Sequence, residues 1–342
     1  MTSAADRDAD RERRNVSDAL GVVVLGACAG WPLISAAGHD ARPEGVLLAV
    51  LAVAAGYAAG RMSGSLLPVV APCAGALAGL ALAVAMPRMA SGPQVTTPLG
   101  HTGAVAALLV LATGGACCAA WATPVPSLRF GLRTLAAGIA VAGAAVGSAA
   151  GCVASAVVLL CSLAAGRMRR RGPGIAGLAL AAVLVTGTVW AVAAQVLPAG
   201  LTSALEGPLG EHRVRLWRDA LRLAHRNSAL GVGPGRFGEL SGTASESLLP
   251  DGKPHSAPLQ QAAEQGVVGI LLLATAFCWI LYALWRSPRS TPVTLTAGAA
   301  LTALAAIAAI GNALSFTTVS AGAGLLAGLA TAHPWVAGVP GS

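Results

Sequence analysis

"TLAAGIAVAGAAVGSAAGCVASAVVLLCSLAAGRMRRR", residues 134–171, decides the fold. From Thr134 to Gly166 it holds no charge, and it then runs into Arg167, Arg169, Arg170 and Arg171. One helix over that uncharged stretch would be about 50 Å long at 1.5 Å per residue, against a hydrocarbon core of about 30 Å. Two helices are each slightly short. If "GSAAG" at Gly147–Gly151 turns the chain, the arginine cluster falls on the side of the N-terminus, which carries Arg7, Arg11, Arg13 and Arg14. Without the turn the cluster faces the other way, against the bias of lysine and arginine toward the cytoplasmic side. Charge parity therefore predicts two helices with a turn between them.

Further apolar runs lie near residues 19–37, 45–60, 66–86, 101–121, 174–198, 266–285, 293–311 and 314–333. The predicted fold is all-α: a polytopic integral membrane protein of about ten transmembrane helices, with one large exterior loop and both termini cytoplasmic. The first apolar run reads as a retained helix rather than a cleaved signal, because further spans follow closely. The predicted organisation is a cytoplasmic tail at 1–18, seven helices over 19–198, a loop at 199–261, then three helices and a short tail over 262–342. Thirteen lysines and arginines fall inside, two in short exterior connections (Arg42 and Arg88), and seven in the large loop.

Composition narrows the function. The chain is 55% hydrophobic and 11% charged, so the formal charge of +8 reflects membrane orientation rather than a nucleic-acid surface. Aromatic residues make up 4%, too few to stack bases. All seven cysteines lie in apolar runs, which offers neither a disulfide framework nor a thiolate metal site. The spans lack the buried carboxylates on which ion-coupled transport commonly depends. Their glycine and alanine content predicts close helix packing through small residues.

Chemistry is thus expected in the polar loop, in "EHRVRLWRDALRLAHRNSALGVGPGRF" (211–237) and "PHSAPLQQAAEQGVVG" (254–269). Arg213–Arg226 reads as an amphipathic helix, entered after Gly207, Pro208 and Gly210. Val214, Leu216, Trp217, Ala220, Leu221, Leu223 and Ala224 share one face, and Arg215, Arg218, Arg222 and Arg226 the other. Arg213 projects into the apolar face, where an arginine needs an anionic partner or a polar cavity unless it precedes the regular helix. The stripe of four suits water or lipid phosphate. "GVGPGRF" lacks the Lys-Ser/Thr of a phosphate-binding loop, so it reads as a tight turn permitting close backbone approach beside Arg236 and Phe237. Ser256 is placed to cap a helix with Pro258 in its first turn, and the positive end of that helix would help keep His255 neutral and able to accept a proton. No histidine pair has metal-ligand spacing with supporting carboxylates.

Taken together, Arg213, Trp217, Ala220, Leu221, Gly231–Phe237, His255, Ser256, Glu264, Gly266 and Gly269 resemble the signature region of the O-antigen ligase and polymerase family. The resemblance implies a membrane glycosyltransferase acting at the outer face of the cytoplasmic membrane, without nucleotide sugar, metal or other cofactor. It implies a polyprenyl-diphosphate-linked glycan as donor and a glycan, lipid or protein as acceptor, among membrane lipids and without nucleic acid. His255 corresponds to the residue activating the acceptor hydroxyl, Arg213 to one engaging the lipid diphosphate, and Glu264 to a third catalytic position. Arg215, Arg218, Arg236 and Ser256 are the substrate-binding candidates. The sequence departs from the family pattern in the serine after His255, where asparagine is common, and in Ser148–Ala149, where relatives frequently carry Ser-Arg. The competing reading is a non-catalytic transporter or assembly component of an envelope glycan pathway.

Overall fold

The computed structural model describes residues 4–89, 99–197, 210–245 and 252–333. Gly207, Pro208 and both ends of the chain lie outside them. The described residues form helices without strands: α1 (Ala4–Ala37), α2 (Glu44–Leu66), α3 (Val70–Met89), α4 (Leu99–Ala122), α5 (Pro126–Ala145), α6 (Ala149–Ala165) and α7 (Arg171–Ala193). The loop region contributes α8 (Glu211–Arg226), α9 (Phe237–Leu240) and α10 (Gly242–Ser245), followed by α11 (Ala257–Arg286), α12 (Thr291–Ile310) and α13 (Thr317–Thr331). Seven helices are long and apolar enough to cross a membrane and three shorter ones are equally apolar, which makes a polytopic all-α membrane protein.

The chain does turn where the charge parity requires. Gly147 adopts φ +75°, and the Ser148 side chain accepts from the Gly151 amide at 3.2 Å to cap α6. The expected shortage of length is met differently on the two sides. Helix α5 begins at Pro126, earlier than Thr134, by taking Arg129 and Arg133 into its first turns. Helix α6 stays short at 17 residues. At the other end of the chain, α1 is helical back to Ala4, so most of the expected tail continues the first span.

Two helix pairs confirm the parity. Along α2, Gly56, Gly60 and Gly64 meet Ala321, Leu325 and Leu329 of α13 in the same order, so the second and tenth apolar helices run parallel. Helices α1 and α11 run antiparallel, since Trp31 Nε1 donates to Gln265 O at 3.1 Å and Trp279 Nε1 to Ser17 O at 3.1 Å. A single helix over 134–166 would have reversed both relations. The α2–α13 contact is backbone on backbone: a Cβ on Gly60 would lie 2.3 Å from Leu325 O, and one on Gly324 2.2 Å from Val53 O. This is the small-residue packing that replaces a hydrophobic driving force in lipid. Helix α4 is buried along most of its length, while Leu51, Val141, Leu160 and Leu184 turn outward as an apolar, lipid-suited surface.

The arginines of one face close helix ends. Arg171 donates to Ser287 O at 2.6 Å and Arg289 O at 2.9 Å, and Arg289 to Gly64 O at 2.6 Å and Ala332 O at 2.9 Å. These bonds satisfy the Gly64 carbonyl in the last turn of α2 and carbonyls just past the ends of α11 and α13. Arg61 reaches Asp18, where the apolar part of α1 begins, at 2.8 Å. The polar loop gathers at the opposite ends of the same helices, beside Trp31 and Ser35.

Candidate functional site

Helix α8 forms because its apolar residues recur at helical spacing. Val214, Leu216, Trp217, Ala220, Leu221 and Ala224 are buried, and Val214, Trp217, Ala220 and Leu221 pack with Phe237, Leu259 and Ala263 into a separate core under the loop. Leu223, expected on that face, is only half-buried. Arg213 lies inside the helix rather than ahead of it. It is half-buried, and its Nε is shielded from solvent without a hydrogen-bond partner among the described residues. Burial pushes its guanidinium below the ordinary arginine pKa, although it stays cationic. Arg215, Arg222 and Arg226 are exposed as the stripe predicts, whereas Arg218, at the edge of the stripe next to Val214, is half-buried.

The glycine turn docks onto a broken helix. Gly231, Gly233 and Gly235 all take positive φ, and α11 is interrupted at Gly266 (φ 68°, ψ −161°). Backbone bonds join the two features: Val232 N to Ala263 O at 2.9 Å, Gly233 N to Glu264 O at 3.0 Å, and Val267 N to Ser228 O at 2.8 Å. The carbonyls and amides released by the break are thereby paired, as backbone at membrane depth must be. A Cβ on Gly231 would lie 2.3 Å from Glu264 C, and one on Gly266 2.4 Å from Ala229 O, so both positions demand glycine. The end of α1 completes the clamp, with Ser35 Oγ donating to Leu230 O at 2.8 Å.

His255 and Ser256 precede α11, and both are buried. His255 holds φ +52°, a left-handed conformation uncommon outside glycine, at a cost in backbone strain. Ser256 occupies the N-cap position with extended backbone, but its side chain makes no capping bond. Its Oγ is instead buried and without a partner, which corrects the capping role expected of that hydroxyl. Glu264 is 2% exposed; Oε2 accepts from Gln260 Nε2 at 3.3 Å, backbone of Gly235 and Phe237 lies against the carboxylate, and Oε1 is unpaired. Next to it, the Gln265 Nε2 donor is also buried without a partner.

Arg236 is occupied elsewhere. Its Nη1 donates to His39 O at 3.0 Å and its Nε faces Glu239 at 3.4 Å, so it fastens the turn to the α1–α2 connection. The structure thus draws Arg213, Glu264, Gln265 and Ser256 onto α8 and the first turns of α11, which pack together, and it sets Arg236 at their margin.

Asp219 escapes a reading of the sequence. Burial would raise its pKa, but hydrogen bonds from Arg222, the Ser241 hydroxyl (2.8 Å) and the Thr243 amide (3.2 Å) outweigh burial and hold the carboxyl below the usual aspartate value. It ties α8 to α10. The i,i+3 spacing to Arg222 was a visible signal, whereas Ser241 and Thr243 were not.

Unpaired buried polar groups each cost about 1–3 kcal/mol, and on these two packed elements a guanidinium, a hydroxyl, an amide and a carboxylate each keep one polar atom unpaired, donors and acceptors of the kind an anionic, hydroxyl-rich molecule uses. Among the described residues no group of histidine, cysteine, aspartate and glutamate is arranged to hold a metal ion. Residues 134–274 match the family model for O-antigen ligase, a stretch that runs from α5 into α11 and takes in every candidate residue. No curated protein and no solved structure matches the chain.

Proposed function

We propose, for a chain that belongs over residues 134–274 to the O-antigen ligase family of membrane glycosyltransferases, that glycan passes from a polyprenyl-diphosphate carrier to an acceptor hydroxyl at the outer face of the cytoplasmic membrane. In this reading the acceptor oxygen attacks the anomeric carbon while the bond from that carbon to the diphosphate oxygen breaks. His255 takes the acceptor proton, a role supported by its buried position at the entry to α11. Arg213 holds the diphosphate as negative charge builds on the leaving oxygen. Glu264 Oε1 accepts from a sugar hydroxyl, and Ser256 Oγ, with Arg215 and Arg218 on the outer stripe, completes the donor contacts.

The observation that carries this reading is the half-buried Arg213, its Nε unpaired, on a helix packed against the broken helix that His255 and Ser256 lead into. An uncompensated guanidinium at that position is a costly arrangement unless an anion comes to it. The outward placement is supported by the arginines that close the helix ends on the other face. The test is a deletion strain assayed for accumulated lipid-linked glycan. Wild-type protein should clear the accumulation and His255→Ala, at equal membrane level, should not. Clearance by both would point to a transport or assembly role instead.

A further inference from the structure

We propose that the arginine-bearing face holds a second binding site, which takes the headgroup of an anionic phospholipid and is separate from the transfer site. A cavity of about 430 Å³ opens there among α1, α2, α11 and α13, lined by Asp18, Tyr57, Arg61, Trp285, Arg286 and Thr331 among others. That is within the size range of small-molecule sites.

Charge defines what fits. Asp18 holds Arg61 through two bonds, at 2.8 and 3.2 Å, and Tyr57 OH accepts from the same guanidinium at 3.2 Å. That pair is neutral and rigid. Arg286 is exposed, lies 5.8 Å from the Trp285 ring centroid, and has no acid partner among the described residues. Among the lining residues Asp18 offsets Arg61 and leaves the Arg286 guanidinium without a carboxylate beside it, the complement of a phosphodiester.

Location favours a lipid over a soluble anion. The cavity lies at the ends of membrane-spanning helices beside an exposed tryptophan, the usual level of headgroups. Next to Ser17 and Asp18, Val16 and Leu20 are exposed on α1, and Met62, next to Arg61, is exposed on α2. This apolar border would receive acyl chains, for which free phosphate has no use. A headgroup bound to Arg286 and Arg61 would join α11 to α2 and, through Asp18, to α1, the helix whose other end clamps the break at Gly266.

The full chain purified in neutral detergent should retain phosphatidylglycerol over phosphatidylcholine in native mass spectrometry, and phosphatidylglycerol should raise its melting temperature. Arg286→Gln, chosen because this exposed residue holds no helix together, should lower the preference about tenfold, as expected for one charge-assisted contact. Arg226→Gln, on the loop side, should leave it unchanged. Equal retention of the two lipids, or an Arg286→Gln protein with wild-type preference, overturns the site. Stabilisation by inorganic phosphate equal to that by phosphatidylglycerol overturns the lipid assignment in favour of a soluble anion.

Discussion

The amide of Gly233 donates to the carbonyl of Glu264 at 3.0 Å, so the glycine turn and the helix bearing the buried carboxylate are one rigid unit. The same register brings Gly231 onto the Glu264 backbone and sets the break in α11 against residues 228 and 229. Distant segments of the sequence are thereby held together by main chain rather than by side chains. That positions Glu264 and Gln265 with Oε1 of the one and Nε2 of the other still unpaired.

Gly266→Ala should disrupt this unit. At φ 68° and ψ −161° a side chain is strained by about 1–3 kcal/mol, and its Cβ would meet Ala229 O at 2.4 Å. A lower melting temperature and a more than tenfold loss of transfer are expected. Gly177→Ala, with open space around its Cβ, should be tolerated. Wild-type melting and transfer for Gly266→Ala would show that the break is not needed.

Asp219→Asn should loosen the loop in a pH-dependent way. The folded-state pKa lies below the unfolded value of about 3.9, so the clamp contributes fully above that value and fades as pH falls through the folded pKa. Hydrogen exchange at the Thr243 amide should be about tenfold faster in the variant at pH 7, with the gap closing as pH is lowered below 4. A gap that stays constant down to the lowest accessible pH would deny the carboxylate this role.

Arginine parity sufficed to find the turn at Gly147 and hence the number of helices, because orientation bias is a property of sequence position alone. The amphipathic face of α8 and the inward projection of Arg213 were legible for a similar reason: helical periodicity needs no tertiary context. The kink at Gly266 was not. A glycine in an apolar run is compatible with a straight helix, and only the arrival of residues 228–233 makes the break favourable. Ser256 shows the opposite error, since local preference set it in the N-cap position but could not foretell that its hydroxyl would be withheld from the cap. Asp219 was half hidden because two of its partners, Ser241 and Thr243, come from another segment.

His255→Ala should cut transfer by about 10² to 10⁴, the usual worth of a positioned general base, with folding and membrane level unchanged. Single-turnover assays with lipid-linked donor would measure it. Near-normal turnover in a well-expressed variant removes the base from the mechanism.

Membrane orientation is open to a direct test. In a cysteine-free background, a cysteine at Ser245 should react with an impermeant label from outside, and one at Arg170 only from inside. The arginines that close helix ends near Arg171 and Arg289 lead to that expectation. A cytoplasmic Ser245 would separate His255 from any exterior glycan.

Arg213 allows the sharpest comparison, because it differs from the exposed Arg215, Arg222 and Arg226 on α8 in burial while sharing their chemistry. A guanidinium grips diphosphate oxygens through a planar fork that an ammonium cannot reproduce, so Arg213→Lys should be damaging even though charge is kept. Loss of charge-assisted bonds worth about 1.5–3 kcal/mol corresponds to a roughly ten- to over a hundredfold fall in kcat/KM for the lipid-linked donor. Arg226→Lys, at the exposed end of the same helix, should leave transfer within about twofold, since solvated surface charges contribute little. Both variants keep the net charge of the loop, so a general electrostatic attraction for the donor predicts equal and small effects. If Arg226→Lys abolishes transfer while Arg213→Lys behaves as wild type, the donor lies along the far end of the outer stripe of α8, and the half-buried guanidinium serves the fold instead.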